Sequence, residues 1–216
     1  MRAVGIGAGG HGRMLLESLQ GRKDVEVVGM VDSDPALKGR SVLGVPVLGG
    51  DEVLADVARS GVRRAFLGVG GVGDNSHRRR VWDAVRELGF EFLTVIHESA
   101  VVSPSAEIGE GSCIFPGAII GAGARLGRNV IVNTGAIVEH DCELGDHVHV
   151  ASGAVLAGGV SVGESAHIGA GATVKQGVHV GRAAVVALGA AVIADVPDGA
   201  VVAGVPARPL RAGLKT

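Results

Sequence analysis

Hydrophobic and polar positions along the chain change their period near residue 96. Before it, short apolar runs alternate with segments whose apolar residues recur every three or four positions, the pattern of strands alternating with amphipathic helices. RAVGIG, VEVVGMVD, RRAFLGVG and FEFLTVI read as strands, and helices fit through MLLESLQ, GDEVLADVARSG and HRRRVWDAVRELG. The order βαβαβαβ predicts a small parallel sheet with helices on its faces, about half of a full dinucleotide-binding fold.

After His97 every sixth residue from Val102 to Val192 is aliphatic, without a slip: Val102, Ile108, Ile114, Ile120, Leu126 and so on to Val186 and Val192. Four residues after each stands a small or medium residue, as at Ala106, Ala118, Ala136, Cys142 and Ala154. Such a register predicts a β-solenoid, with a large side chain filling the interior of each short side and a small one where the chain turns. Ordinary strands would need period-two alternation and turn signals at wider spacing. The chain therefore divides into an α/β domain over residues 1–96 and an all-β solenoid with its tail over residues 97–216.

Composition supports the solenoid: 37 of 216 residues are Gly, aromatics are 2% and Tyr is absent, yet 47% are hydrophobic, so the interior must be built from small and β-branched side chains. A formal net charge of -2 gives no electrostatic reason to bind nucleic acid or an anionic membrane. Two cysteines, Cys113 and Cys142, are too few for a disulfide framework and lack zinc-type spacing, and no apolar run is long enough to span a bilayer as a helix. A cytoplasmic protein acting on small molecules is expected.

Two stretches carry chemistry. The first, IVEHDCELGDHVHVA (residues 137–151), sets histidines and acids into the apolar repeat. If coils of three hexads stack at about 4.8 Å, His140 shares a column with Ala122 and Gly158, which leaves open space around its ring. A neutral imidazole there suits a general base, and Asp141 next to it would fix the tautomer if its short side chain reaches. The competing reading of His140 is an exposed histidine on a solvated side. His167 should stack on His149, a ladder that need not be catalytic; His147 and His179 read as surface residues. Cys142 occupies a small interior slot and is not indicated as a nucleophile.

The second stretch is GIGAGGHG: Gly7, Gly9 and Gly12 follow a strand and precede a helix, and Asp32 ends the next strand. This is a dinucleotide fingerprint, but its physics is that of a diphosphate held at a helix N-terminus. With no second half for a nicotinamide and with His11 inside the loop, a nucleotide-diphosphate sugar fits better than NAD. Asp32 also reads as a plain turn acid.

The hexads, the ending VVAGVPARPLR, the GAGGHG loop, the junction IHESAVVSPSAEIGEGS and the EHDC motif together resemble the sialic acid O-acetyltransferase family of hexapeptide-repeat acyltransferases, and within it the nucleotide-sugar N-acetyltransferases that act on 4-amino-4,6-dideoxy sugars. The resemblance implies a left-handed parallel β-helix and direct acetyl transfer from acetyl-CoA to the amine of a nucleotide-linked sugar, with UDP as the expected nucleotide, and it requires no metal. It implies His140 as base, assisted by Asp141 where relatives commonly carry Glu, His149 near the acetyl group, and the Gly158 amide as oxyanion donor. It places Gly9, Gly10, His11 and Gly12 at the diphosphate or sugar and Asp32 at the nucleoside, with Asn75 and Arg78 closing over the same ligand. Arg208 or Arg211 would meet the phosphates of acetyl-CoA, and a homotrimer with active sites between subunits is expected. Three alternatives stand beside this: O-acetylation of sialic acid or another sugar hydroxyl, a non-catalytic nucleotide-sugar-binding protein, and a zinc carbonic anhydrase using His140, His149 and His167.

Overall fold

The computed structural model describes residues 1–210. Its contacts divide it into two compact units, one made of Met1–Gly70 and Arg78–Val95, the other of Gly71–His77 and the chain from Ile96 onward. The short segment between Gly70 and Arg78 thus packs with the solenoid although it lies inside the first 96 residues.

In the first unit, strands β1 (Arg2–Ile6), β2 (Glu26–Val31), β3 (Ser41–Val42), β4 (Val45–Gly49), β5 (Arg64–Leu67) and β6 (Glu91–Phe92) form one sheet in the order β3-β4-β2-β1-β5-β6. All neighbours pair in parallel except β3 with β4. Helix α1 (Gly10–Gln20) buries Leu15, Leu16 and Leu19, the one apolar stripe its sequence offers. Helices α2 (Leu54–Arg59) and α3 (Ser76–Glu87) follow, and Trp82 of α3 stacks on Phe92 with ring centroids 4.0 Å apart. The β3–β4 hairpin departs from the sequence expectation. Its turn has Leu43 and Gly44 at φ 49 and 82, a geometry for which Asn-Gly is the usual signal and Leu-Gly is not. The stretch FEFLTVI also divides: β6 closes this sheet, while Val95–Ile96 begins the first stack of the solenoid.

The second unit is a left-handed parallel β-helix with three sides. One eight-stranded side stacks Val95–Ile96, Cys113–Ile114, Ile131–Val132, His149–Val150, His167–Ile168, Val185–Val186, Val201–Ala203 and Arg208–Pro209. The six-stranded second side runs from Val101–Val102 to Ala191–Val192, and the five-stranded third from Glu107–Ile108 to His179–Val180. Partners such as Cys113↔Ile131, Ile119↔Ile137 and Arg125↔Glu143 show one coil per three hexads. The aliphatic hexad series and the small series behind it form a single core, in which Val132, Val138, Val150 and Leu156 are fully buried. Coils turn through left-handed backbone. The corner between the second and third sides repeats it at Gly123, Asp141, Gly159 and Gly177, with φ 68, 57, 68 and 69, so Asp141 stands where its column neighbours are glycines. An L-residue there carries a cost of about 1 kcal/mol.

Candidate active site

In the first unit, the loop between β1 and α1 is shaped by close approach. A Cβ on Gly12 would lie 2.1 Å from the Gly7 carbonyl oxygen, and Gly7 itself has φ 94, so both positions exclude any other residue. Gly9 and Gly10 face open space, and α1 starts at Gly10 with no side-chain cap. Its first N–H groups and positive dipole end are thereby available to an anion. Asp32 braces the loop: Oδ2 accepts from the Ala8 N–H at 2.7 Å and Oδ1 from the Asp34 N–H at 2.9 Å. Arg78 is 1% exposed. Its Nη1 donates to the carbonyls of Leu67 (2.9 Å) and Val69 and lies 3.5 Å from His11 Nε2. A guanidinium so enclosed braces the end of β5 and backs His11.

In the second unit, His140 stands on the corner that Asp141 turns. Its side chain is 57% exposed, and Nδ1 is 3.0 Å from Asp141 Oδ2. The short aspartate therefore reaches the ring, helped by the left-handed backbone that swings it back. Since a carboxylate accepts, the neutral ring carries its proton on Nδ1 and keeps Nε2 as the acceptor. The hydrogen bond to Asp141 is the main reason the His140 pKa is raised above the ordinary histidine value; burial opposes it, and the charges of Asp141 and Glu139 add to it. Nε2 lies directly over Gly158: a Cβ built there would be 2.4 Å from it. Among the described residues the Gly158 N–H has no protein acceptor. The lone pair of an imidazole nitrogen thus stands over a glycine whose amide has no acceptor among the described residues.

His149 differs in burial and in the charge of its partner. It projects from the first side, is 6% exposed, and donates from Nδ1 to the Gly71 carbonyl at 2.8 Å. The His167 ring packs edge-on against it, 4.9 Å between centroids at 84°. Burial lowers the His167 pKa below the ordinary histidine value, which favours the neutral ring. Both histidines line a cavity of about 330 Å³ whose walls include Val72, Ala151, Ala170 and Leu188. Asn75, expected at the nucleotide sugar, is 1% exposed and donates from Nδ2 to the carbonyls of Ser165 (3.2 Å) and Ala166 (3.1 Å). His147, expected at the surface, is 7% exposed with Nδ1 2.9 Å from Asn129 Nδ2. His179 is exposed, as expected, beside the Ser161 hydroxyl. Cys142 is buried in its small slot, and burial raises its thiol pKa, which removes thiolate character. Arg208 is exposed and donates to the Ala207 carbonyl; Arg211 lies outside the described residues. Among the described residues no three His, Cys, Asp or Glu side chains form a group that could hold a metal, so His140, His149 and His167 do not converge within one chain.

A histidine paired with a carboxylate over a glycine, on a hexapeptide β-helix, fits the class of hexapeptide acyltransferases. Residues 4–85 match the PglD N-terminal domain family and residues 123–158 the bacterial transferase hexapeptide family (six repeats). The perosamine N-acetyltransferase of Caulobacter crescentus, solved as a His-to-Asn mutant with CoA and GDP-perosamine, is 42% identical, with 98% of this chain and 97% of that chain covered and a TM-score of 0.91. The acetyltransferase domain of PglB from Neisseria gonorrhoeae FA1090 is 39% identical, covering 97% and 99%, with a TM-score of 0.88. The UDP-N-acetylbacillosamine N-acetyltransferase of Bacillus subtilis (strain 168) is 39% identical over 111 residues, which is 50% of this chain and 49% of that protein's length. The chain belongs to the nucleotide-sugar N-acetyltransferase family of hexapeptide acyltransferases.

Proposed function

We propose that the protein transfers the acetyl group of acetyl-CoA to the amine of a nucleotide-diphosphate-linked 4-amino-4,6-dideoxy sugar. The observation that carries this reading is the placement of His140 Nε2 over Gly158, with Asp141 holding Nδ1. The neutral sugar amine attacks the thioester carbonyl and a C–N bond forms. His140 Nε2 takes the amine proton, and the imidazolium formed is stabilised by Asp141. The Gly158 N–H holds the developing oxyanion, an interaction a side chain at that position would block. Collapse breaks the C–S bond, and the CoA thiolate leaves and recovers a proton. Cys142 has no part in it.

The open glycines at the start of α1 suit the diphosphate. Relatives are named for both UDP- and GDP-linked sugars, so the nucleotide base is a variable of the experiment, with UDP the starting expectation. His149 and its cavity suit the acyl donor, which is lined largely by apolar groups there as a pantetheine arm requires. Within one chain, His140 stands on the corner between the second and third sides, while His149 projects from the first. A single thioester reaching both must lie between two copies, which supports a homotrimer with intersubunit sites. The outward column of the second side agrees: Val101 and Ile119 are 61% and 39% exposed, whereas the third side presents Glu107, Arg125 and Glu143 at the same height of the stack. An apolar column of this kind calls for a partner.

The test is thiol release from acetyl-CoA with a panel of UDP- and GDP-linked 4-amino sugars and with sialic acid, for wild type and His140→Ala. Turnover with one nucleotide-linked amino sugar, lost in the variant while the oligomer persists, is expected. Turnover with sialic acid alone would overturn the acceptor, and turnover unaffected by the variant would overturn the base.

A further inference from the structure

The segment 71–77 leaves the end of β5 and packs with the β-helix, and its contacts there are specific. Asn75 gives both protons of its amide nitrogen to neighbouring carbonyls of one corner, Ser165 and Ala166. Its Oδ1 is turned back over Gly71, where an added Cβ would lie 2.5 Å away. Gly71 in turn accepts from His149 Nδ1, and Val72 and Gly73 form part of the wall of the cavity that His149 and His167 line. Asn75 holds the segment, the segment presents one carbonyl, and that carbonyl holds one ring.

We propose that the segment 71–77 is the positioning element of the acyl-donor cavity: Asn75 clamps it to the β-helix, and the Gly71 carbonyl fixes His149 as the Nδ1–H tautomer, so that His149 meets the donor as a hydrogen-bond acceptor. A carbonyl oxygen can only accept, so a neutral His149 bonded to it must carry its proton on Nδ1 and offer Nε2 as a lone pair. An acceptor at the wall of a pantetheine-sized apolar cavity fits an amide N–H of the acyl donor. It does not fit a thioester carbonyl, which needs a donor. The oxyanion is left to the Gly158 amide, and Asn75 is a positioning residue rather than a contact of the nucleotide sugar. This rests on the acetyl-CoA reading above, which it refines.

The experiment joins two readouts on the full-length protein. Long-range proton–nitrogen correlation spectra of histidine-labelled protein, with His149 assigned by His149→Gln, report the tautomer without any substrate. The result expected is a protonated Nδ1 and an unprotonated Nε2 in wild type, lost to a tautomer mixture in Asn75→Ala. Steady-state kinetics should show the KM for acetyl-CoA rising about tenfold in Asn75→Ala, with the KM for the nucleotide sugar unchanged. Asn75→Asp keeps the shape, turns donors into acceptors facing two carbonyls, and should do the same or more. Variant melting temperatures and oligomer size identify a fold defect; if Asn75→Ala has one, wild type against Asn75→Gln, which keeps the donors, carries the test. A doubly protonated His149, an Nε2–H tautomer, or a rise confined to the nucleotide-sugar KM would overturn the proposal. Should no acceptor be acetylated, the functional reading fails, while the tautomer and its dependence on Asn75 still decide the clamp.

Discussion

The corner at His140 and the side at His149 use the same side chain for opposite ends. At the corner the ring is in water, its partner is a carboxylate, and protonation is eased; on the side the ring is enclosed, its partner is a carbonyl, and a charge would go uncompensated by that partner. Both are held by a bond at Nδ1 and both keep Nε2 as the acceptor. What separates them is the partner's charge: an anion stabilises the imidazolium that a base must become, whereas a neutral carbonyl fixes orientation alone. On the proposed mechanism, nitrogen geometry therefore does not distinguish the base from the binding group. Its neighbours do.

The comparison breaks most completely if the base is removed. His140→Ala should lower kcat by about 10³-fold, within the range of general-base contributions, while leaving the KM for acetyl-CoA near that of wild type; a loss expressed mainly in that KM would place His140 with the binding group instead. Gly158→Ala comes next, because its Cβ would fall 2.4 Å from His140 Nε2. Its backbone lies outside the left-handed region, so circular dichroism and melting should change little, whereas kcat should fall about 10²-fold as base and oxyanion donor are pushed apart.

The β-helix was legible because its interior accepts one large aliphatic residue per side and coil, which forces the six-residue register on the sequence. Column partners were legible for the same reason, and His140 over Gly158 and His149 against His167 follow from it. The period says which residues stack; it does not say what covers a side. His147 read as a surface residue, but its corner is closed in and its ring is taken up by Asn129. Asn75 read as a loop residue near the nucleotide because it follows a strand end; only the packing of 71–77 against the β-helix reveals its carbonyl partners. An Asn with glycines before it carries no signal for two acceptors some 90 positions away. The β3–β4 hairpin was hidden by its Leu-Gly turn, and the carbonyl partners of Arg78, which was expected at the ligand, by their place at the end of a separate strand.

Smaller effects sharpen what Asp141 does. In Asp141→Asn the carboxylate charge is lost and any hydrogen bond that remains is to a neutral amide oxygen, so the support that raises the His140 pKa is weakened. A base works deprotonated, so activity rises with pH through that pKa, and the acid limb of kcat/KM should move to lower pH in the variant. At neutral pH the loss should be roughly tenfold, limited by solvent around an exposed pair. The ratio of wild type to variant should narrow as pH falls, because the variant keeps more neutral imidazole there; a limb that stays in place would mean that Asp141 does not act on the ring.

The smallest effect is on stability and it separates chemistry from backbone. Asp141 and Ala183 both occupy left-handed corner positions, at φ 57 and 51, where a Cβ is strained and glycine is not. Replacing either with Gly relieves about 1 kcal/mol in the folded state, offset in part by the greater freedom of glycine in the unfolded chain. Both Asp141→Gly and Ala183→Gly should therefore melt at or slightly above the wild-type temperature. Only Asp141→Gly should lose activity, to at least the extent of Asp141→Asn. If Ala183→Gly were equally impaired, the corner geometry itself would matter to catalysis; if Asp141→Gly stayed active, the strained aspartate would have no role at His140. The expected split says that left-handed corners of both columns tolerate glycine and that one position keeps an acid because its level carries the proposed base.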